Sequence, residues 1–287
     1  MTNEISLLKP ADFPSQLREM ADPPEQLYLE GALPGPEITL LTVVGSRHYS
    51  QYGQEACAKL IGGLAGYPVG IVSGLALGID TLAHQAALAA RLPTIAFPGS
   101  GLDRSVLHPH SNRPLAEAIV AAGGALVSEF EPLYPAGLHT FPRRNRLMAG
   151  LARAVLVVEA AERSGTLITA RLALDYNRDV LAVPGSIFAL NSQGANRLIR
   201  QGATPITSSN DLLEALGFAA PEAQTQFHFS GGTPLEQKVL ALLAIETLPR
   251  DEVIRALALP TSEANSLLAV MEIKGVITET MGELRLK

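Results

Sequence analysis

Cysteine is nearly absent from this chain: Cys57 stands alone among 287 residues. One thiol makes neither an internal disulfide nor a multi-thiolate metal site, which fits a reducing compartment. Long apolar runs are missing too. The first residues contain Lys9 and Asp12 and no apolar stretch of signal-peptide length, and nowhere do about 18 uncharged apolar residues persist. The expectation is a cytoplasmic protein, neither secreted nor membrane-spanning. Basic charge is also in deficit, with 22 Lys and Arg against 28 Asp and Glu and a formal net charge of −6. That excludes a protein that binds polyanions over its whole surface, so any nucleic-acid site has to be local.

Common enzyme signatures are lacking as well. The loop Gly45-Ser46-Arg47-His48-Tyr49-Ser50-Gln51-Tyr52-Gly53 has glycines and an arginine suited to a phosphate. It has neither the G-x-G-x-x-G spacing of dinucleotide sites nor the G-x-x-x-x-G-K-[ST] of nucleotidases. Without a G-x-S-x-G elbow, Ser73, Asp80 and His84 are a poor triad. The preferred reading is a helix cap at Asp80 or Thr81 and a locally hydrogen-bonded His84. His108 and His110 have no Cys or Glu beside them at metal-ligand spacing, so neither metal nor cofactor is expected.

What the chain does have is repetition of two patterns. Short apolar runs recur at 38–44, 69–72, 93–97, 125–128, 154–158, 180–183 and 205–207. Helical stretches fall between and after them, at 54–64, 81–90, 114–122, 144–151, 166–176, 196–201 and 211–216. The runs do not alternate with polar residues, so both faces are covered, and strand-helix alternation predicts an α/β, doubly wound, mostly parallel sheet of Rossmann type. Ligands of such sheets bind beyond the carboxyl ends of the strands.

Residues 1–37 carry six prolines and read as an extension packed on the sheet, with one short helix near Pro14 to Met20. The sheet domain spans 38–217, and 218–232 is a linker rich in Ala, Pro, Gln, Ser and Gly. The segment 233–287 reads as three helices, 234–244, 250–258 and 261–274, and a hairpin of strands 276–279 and 283–286 around Met281-Gly282. This is a small C-terminal winged-helix pattern. Its third helix holds Glu263 and Glu272 against only Lys274, so a protein partner or self-association suits it better than duplex DNA.

The most informative stretch is Phe141-Pro142-Arg143-Arg144-Asn145-Arg146. From Phe141 to Arg200 there are nine arginines and no lysine against four carboxylates, a local excess of five positive charges in an acidic protein. Arginine forks suit phosphate and their faces stack on bases, and an aromatic ring at a helix start adds a stacking plane. Two readings stay open. Either Arg47 and Arg143 to Arg146 are partly exposed ligands for unpaired nucleic acid, or Phe141 is buried and the arginines pair with Glu129, Glu159 and Glu162.

Ser73-Gly74-Leu75-Ala76-Leu77-Gly78-Ile79-Asp80, Phe141 to Arg146, Ser164-Gly165-Thr166-Leu167-Ile168-Thr169-Ala170-Arg171 and Val183-Pro184-Gly185 follow Gly45-Ser46-Arg47 in order. Together they resemble the DNA-processing protein A (DprA, or Smf) family. The resemblance implies an extended Rossmann-type domain that binds single-stranded DNA as a homodimer, carries out no covalent chemistry, protects incoming DNA in natural transformation and helps load a RecA-type recombinase. The expected DNA-binding residues are Ser46, Arg47, Ser73, Gly74, Phe141, Arg143, Arg144, Asn145, Arg146, Ser164, Thr166 and Asn196. The dimer is expected through late elements of the sheet domain, on the apolar series Leu212, Leu213, Leu216 and Phe218. One departure is His108-Pro109-His110-Ser111-Asn112, where the family usually has Tyr-Pro-x-x-Asn. The competing enzyme reading is a nucleoside-monophosphate phosphoribohydrolase of the lysine-decarboxylase-like group. Its P-G-G-x-G-T-x-x-E motif, aligned on Gly165-Thr166, meets Ala161, Glu162 and Arg163, and its catalytic glutamate meets Thr169.

Overall fold

The computed structural model describes residues 4–219, 233–244, 246–280 and 282–286. Most of the expected 218–232 linker, and Met281 of the expected hairpin turn, lie outside the described residues. The chain divides into two compact units, Met1–Glu222 and Ala223–Lys287.

In the first unit the runs of Val, Ile and Leu become strands β3 (Thr39–Val44), β4 (Val69–Ser73), β5 (Thr94–Ala96), β6 (Ala125–Ser128), β7 (Ala154–Val157), β8 (Asp179–Ala182) and β9 (Thr204–Pro205). All pair in parallel, in the order β6-β5-β4-β3-β7-β8-β9. Consecutive residues bury on opposite faces. Leu41 and Val43 of β3 enter one core with Leu156 of β7, while Val44, Val155 and Val157 enter the other. Both faces are apolar because helices cover both, which is why the strands lack polar alternation. The covering helices are α2 (Gln51–Gly62), α3 (Ile79–Ala89), α4 (Arg113–Ala121), α5 (Thr140–Leu151), α6 (Thr166–Asp175), α7 (Gln193–Arg200) and α8 (Ser209–Ala215).

The first 37 residues do more than pack on this sheet. Besides the short helix α1 (Ser15–Arg18), they supply β1 (Ser6–Leu8) and β2 (Leu27–Gly31), and β2 pairs antiparallel with β6 to extend the sheet edge. The sequence hid β2 because Glu30 interrupts its apolar run. Glu30 is buried and held by Arg104, whose Nη1 and Nη2 donate to its two carboxylate oxygens at 2.7 and 2.5 Å. A further expectation is corrected in α8: Leu212, Leu213 and Leu216 are buried in the core against α2 and β8, and Phe218 packs on Tyr67. Side chains consumed inside the unit cannot also form a dimer contact. No helix among the described residues is long and apolar enough to cross a membrane.

In the second unit, α9 (Pro234–Leu243), α10 (Arg250–Leu257) and α11 (Thr261–Ile273) surround a core of Val239, Val253, Leu268 and Met271. A three-stranded sheet of β10 (Leu248–Pro249), β12 (Glu283–Leu286) and β11 (Ile277–Thr280) completes it. Thr233 caps α9 through Glu236 N–H, with Glu236 returning a bond to Thr233 N–H. Arg250 is tied to Glu272 and Glu279, and Lys274 to Glu236.

His84 on α3 is buried under the sheet. Its Nδ1 lies 2.8 Å from Thr94 Oγ1, whose hydroxyl donates to Ile71 O. Burial, helped by the nearby Arg144 charge, pushes the His84 pKa down to about 3. The folded protein therefore keeps His84 neutral while the unfolded chain takes a proton below about pH 6.5. Stability contributed by the neutral ring is present above that pH and is lost as pH falls toward 3. We expect the urea midpoint of the sheet unit to fall between neutral pH and the mildly acid range. His84→Gln should flatten that part of the profile, and an unchanged slope would assign it to other groups.

Candidate nucleic-acid interface

The winding order of the parallel sheet reverses between β3 and β7. From β3 the chain winds outward through β4, β5 and β6, then α5 returns it to β7 on the other side of β3. Loops leaving β3 and β7 therefore diverge and open a crevice, as at every such switch point. Here the crevice is a cleft of about 440 Å³ lined by the β3 loop (Gly45, Ser46, Arg47), the β7 loop (Ala161, Arg163, Ser164) and the start of α5 (Phe141, Arg144, Asn145). Thr166, at the N-terminus of α6, closes it; its N–H donates to Ser164 Oγ and the next two N–H groups to Ser164 O and Gly165 O, so that helix end offers an anion the positive end of its dipole.

The four expected arginines divide into three kinds. Arg47 is exposed, forms no ion pair among the described residues and lies over the Phe141 ring, 5.3 Å from its centre. Arg144 does not meet the expectation of partial exposure. It is only 6% exposed, and its Nη1 donates to the carbonyls of Gly74 and Phe97, the latter at 2.6 Å. Its charge is balanced by Asp80, itself buried, which accepts from Gly74 N–H at 3.1 Å. Burial raises the Asp80 pKa while Arg144, the backbone N–H groups and Arg47 oppose the rise. A side chain on Gly74 would overlap the Arg144 guanidinium and press on the Asp80 carboxylate. Arg143 and Arg146 point away from the cleft to Glu129, at 3.2 Å for Arg143, and Arg146 also bonds Asp22.

Of the twelve expected residues, Ser46, Arg47, Phe141, Arg144, Asn145, Ser164 and Thr166 converge on the cleft. Gly74 lines a small hollow beside it, again with Arg47 and Phe141. Ser73 is buried and donates to Val43 O at 2.6 Å, so its hydroxyl holds β4 to β3. Asn196 exchanges hydrogen bonds with both Gly185 backbone groups and braces the loop after β8. Glu159 takes no arginine; it accepts from Ser50 N–H and Oγ at the start of α2. The helix holding Asp80 begins at Gly78, which has φ +87° and lies so close to Ser46 and Arg47 that a Cβ would strike their backbone. Neither Asp80 nor Thr81 caps it; Thr81 donates to Ala76 O. Asn112 donates to Leu75 O and Thr81 Oγ1, so the departing motif at 108–112 still anchors this turn.

Sequence reasoning missed Arg163 and Leu138 as cleft residues. Arg163 belongs to the arginine-rich run but lies outside the 141–146 motif, and Leu138, 91% exposed, carries no local signal. Among the described residues no group of three His, Cys, Asp or Glu is placed to hold a metal ion.

A doubly wound sheet with arginines, an aromatic ring and a helix N-terminus at its switch point is a Rossmann-type protein built around an anion-accepting crevice. Residues 4–217 match the model of the family described as DNA recombination-mediator protein A, and residues 218–283 that of the DprA winged helix domain. Protein Smf of Escherichia coli (strain K12) is 41% identical over 96% of this chain and 76% of its own length. DNA processing protein DprA of Streptococcus pneumoniae is 44% identical over 72% of each chain, and the solved pneumococcal structure superposes with a TM-score of 0.69 over 74% of each. The DNA processing protein A of Helicobacter pylori, solved for its single-stranded DNA binding mode, gives a TM-score of 0.66 at 28% identity, over 75% of this chain and 96% of that one. The chain belongs to the DNA recombination-mediator protein A family.

The division among the arginines has a direct consequence. Arg144→Ala should cost about 3 to 5 kcal/mol of stability, because it strands the buried Asp80 carboxylate. Arg143, 55% exposed, should cost at most about 1 kcal/mol when replaced. Urea denaturation of the two variants checks this; equal midpoints would mean that Arg144 is not structural.

Proposed function

We propose that this chain binds single-stranded DNA in the switch-point cleft and acts by binding, with no covalent step. The carrying observation is the exposed Arg47 guanidinium laid over Phe141, facing Arg163 and the α6 N-terminus across the cleft. A flat ring and unpaired cations at one place suit a flexible backbone with unstacked bases. The Helicobacter pylori relative, studied for its single-stranded DNA binding mode, supports the reading. Phosphoribohydrolase chemistry is not favoured: Thr169 stands in the cleft where that group's glutamate would be, and the relatives are DNA-processing proteins. Arg47, Phe141, Asn145, Arg163, Ser164 and Thr166 are the contact residues in this reading, while Ser73, Gly74, Arg144 and Asn196 shape the loops.

The reading extends to partners. The protein protects incoming DNA during natural transformation and passes it to a RecA-type recombinase in the cytoplasm, in keeping with the mediator role in the family's description. Self-association as a homodimer is supported by the loop after β8, where Ile187, Phe188 and Leu190 are exposed together. In the winged-helix unit, the acidic α11 and the tied Arg250 and Lys274 favour a protein partner over duplex DNA.

Titration with fluorescent oligo-dT and with duplex of equal length tests the core of this. Single strands should bind more tightly, with a log–log salt slope of roughly −0.7 per phosphate contact. Arg47→Ala should remove nearly one contact from that slope, and Phe141→Ala should lose roughly 1 to 3 kcal/mol with little change in slope. Tighter binding of duplex, or a flat salt response, would overturn the proposal. Light scattering at micromolar concentration checks the dimer, and a monomer would remove that part.

A further inference from the structure

A smaller hollow of about 110 Å³ adjoins the cleft, and the two share Arg47, Ala76, Phe141 and Arg144. What the hollow adds is the loop after β5, which brings His108 and Pro109 into its wall. His108 is exposed, and its ring centre lies 6.0 Å from that of Phe141 and 6.4 Å from that of His110, which is exposed too. Neither imidazole has a hydrogen bond or ion pair among the described residues. Asn112 fixes the base of this loop through its bonds to Leu75 O and Thr81 Oγ1, so His108 is held in place without being consumed by the fold. The charged groups around the hollow are Arg47 from the β3 loop and Arg144 from α5, the second already balanced by Asp80 of α3. Among the described residues no carboxylate lines it.

An exposed guanidinium and two unpaired imidazoles with no carboxylate among them describe a seat for an anion. The volume is far below the roughly 300 to 1,000 Å³ of a pocket that encloses a drug-sized ligand, so a phosphate suits it and a nucleoside does not. The shared Arg47 and Phe141 say which phosphate. A strand that lies in the cleft and stacks on Phe141 is led across that ring to the histidines. We propose that this hollow is a further phosphate seat for single-stranded DNA, made by Arg47 and a protonated His108 with His110 behind it. The seat rests on the single-stranded DNA reading above. Burial holds the His108 pKa below the usual histidine value, and the charges of His110 and Arg47 add to that. A phosphate beside the ring opposes both charges and raises the pKa again, so strand and proton bind together. The consequence is a grip on DNA that tightens as pH falls through the histidine range.

The test is a fluorescence titration of the full chain with oligo-dT, whose base does not itself titrate in this range, at about pH 8 and about pH 6 in phosphate-free buffer. The strand should bind about fivefold more tightly at the lower pH, within the tenfold that one pKa unit of coupling supplies. The log–log salt slope should also steepen there by roughly 0.7, the share of one more phosphate contact. His108→Gln combined with His110→Gln should bring the affinity ratio toward one and remove the extra slope. His108→Arg, which carries its charge at every pH, should bind at the higher pH as the parent does at the lower. Both histidines are exposed, and should the paired substitution lower the melting temperature, the His108→Arg arm decides alone. Equal affinity of the unaltered protein at the two pH values would overturn the seat and leave the single-stranded DNA reading standing. A pH effect that leaves the salt slope unchanged, or that survives the paired substitution, would trace the proton to another histidine such as His48 or His139 and overturn the seat too. Failure to bind at either pH would overturn the reading beneath it.

Discussion

The cleft depends on one buried cation. Arg144 reaches from α5 under the ends of β4 and β5, takes the carbonyls of Gly74 and Phe97, and faces Asp80 at the start of α3. Three chain segments that are distant in sequence, 74–80, the end of β5 and α5, meet at this guanidinium. A charge removed from water is costly unless its hydrogen bonds and counter-charge are in place, so these segments can hardly shift independently. The constraint explains Gly74, since any side chain there would occupy the space that the guanidinium needs. It also explains why Phe141, three residues earlier on the same helix, is held where Arg47 can lie over it.

Around that anchor the basic residues have divided the work. Arg144 holds the loops, Arg143 and Arg146 fix α5 to Glu129 and the segment before β2, and Arg47 and Arg163 line the cleft with no ion pair among the described residues. A run of like charges at adjacent helix positions reaches different environments because successive residues turn about 100° around the axis. Arg47 and Arg163 thereby line one crevice of an acidic protein. On the proposed reading, that arrangement concentrates a polyanion locally without making the whole surface adhesive.

Much of the sheet unit could be read from the chain. The apolar runs and the Gly and Pro residues that bound them placed β3 to β9 within a residue or two, because strands covered on both faces cannot carry polar residues. The winged-helix elements were legible for a similar reason, in Thr233-Pro234 at a helix start and in the turn before Glu283. What escaped was β1, β2 and the short β10; the burial of Glu30 in β2 depends on Arg104 arriving from another loop to neutralise it. Leu212, Leu213 and Leu216 were misread in the opposite sense. A helix face that meets the core and one that meets a second molecule have the same periodicity.

For the site the boundary is sharper. The sequence by itself determined that arginines, a ring and a helix start would gather at the carboxyl edge of a doubly wound sheet, because residue order and strand order together fix which loops share that edge. Only the tertiary structure decided which arginine is free. Exposure and pairing are set by neighbours 17 residues away, as for Glu129 and Arg146, or 70 away, as for Gly74 and Arg144. Identical side chains within one motif acquire opposite roles because the free energy of a charge depends on the solvent and counter-charge around it, and no local pattern specifies either.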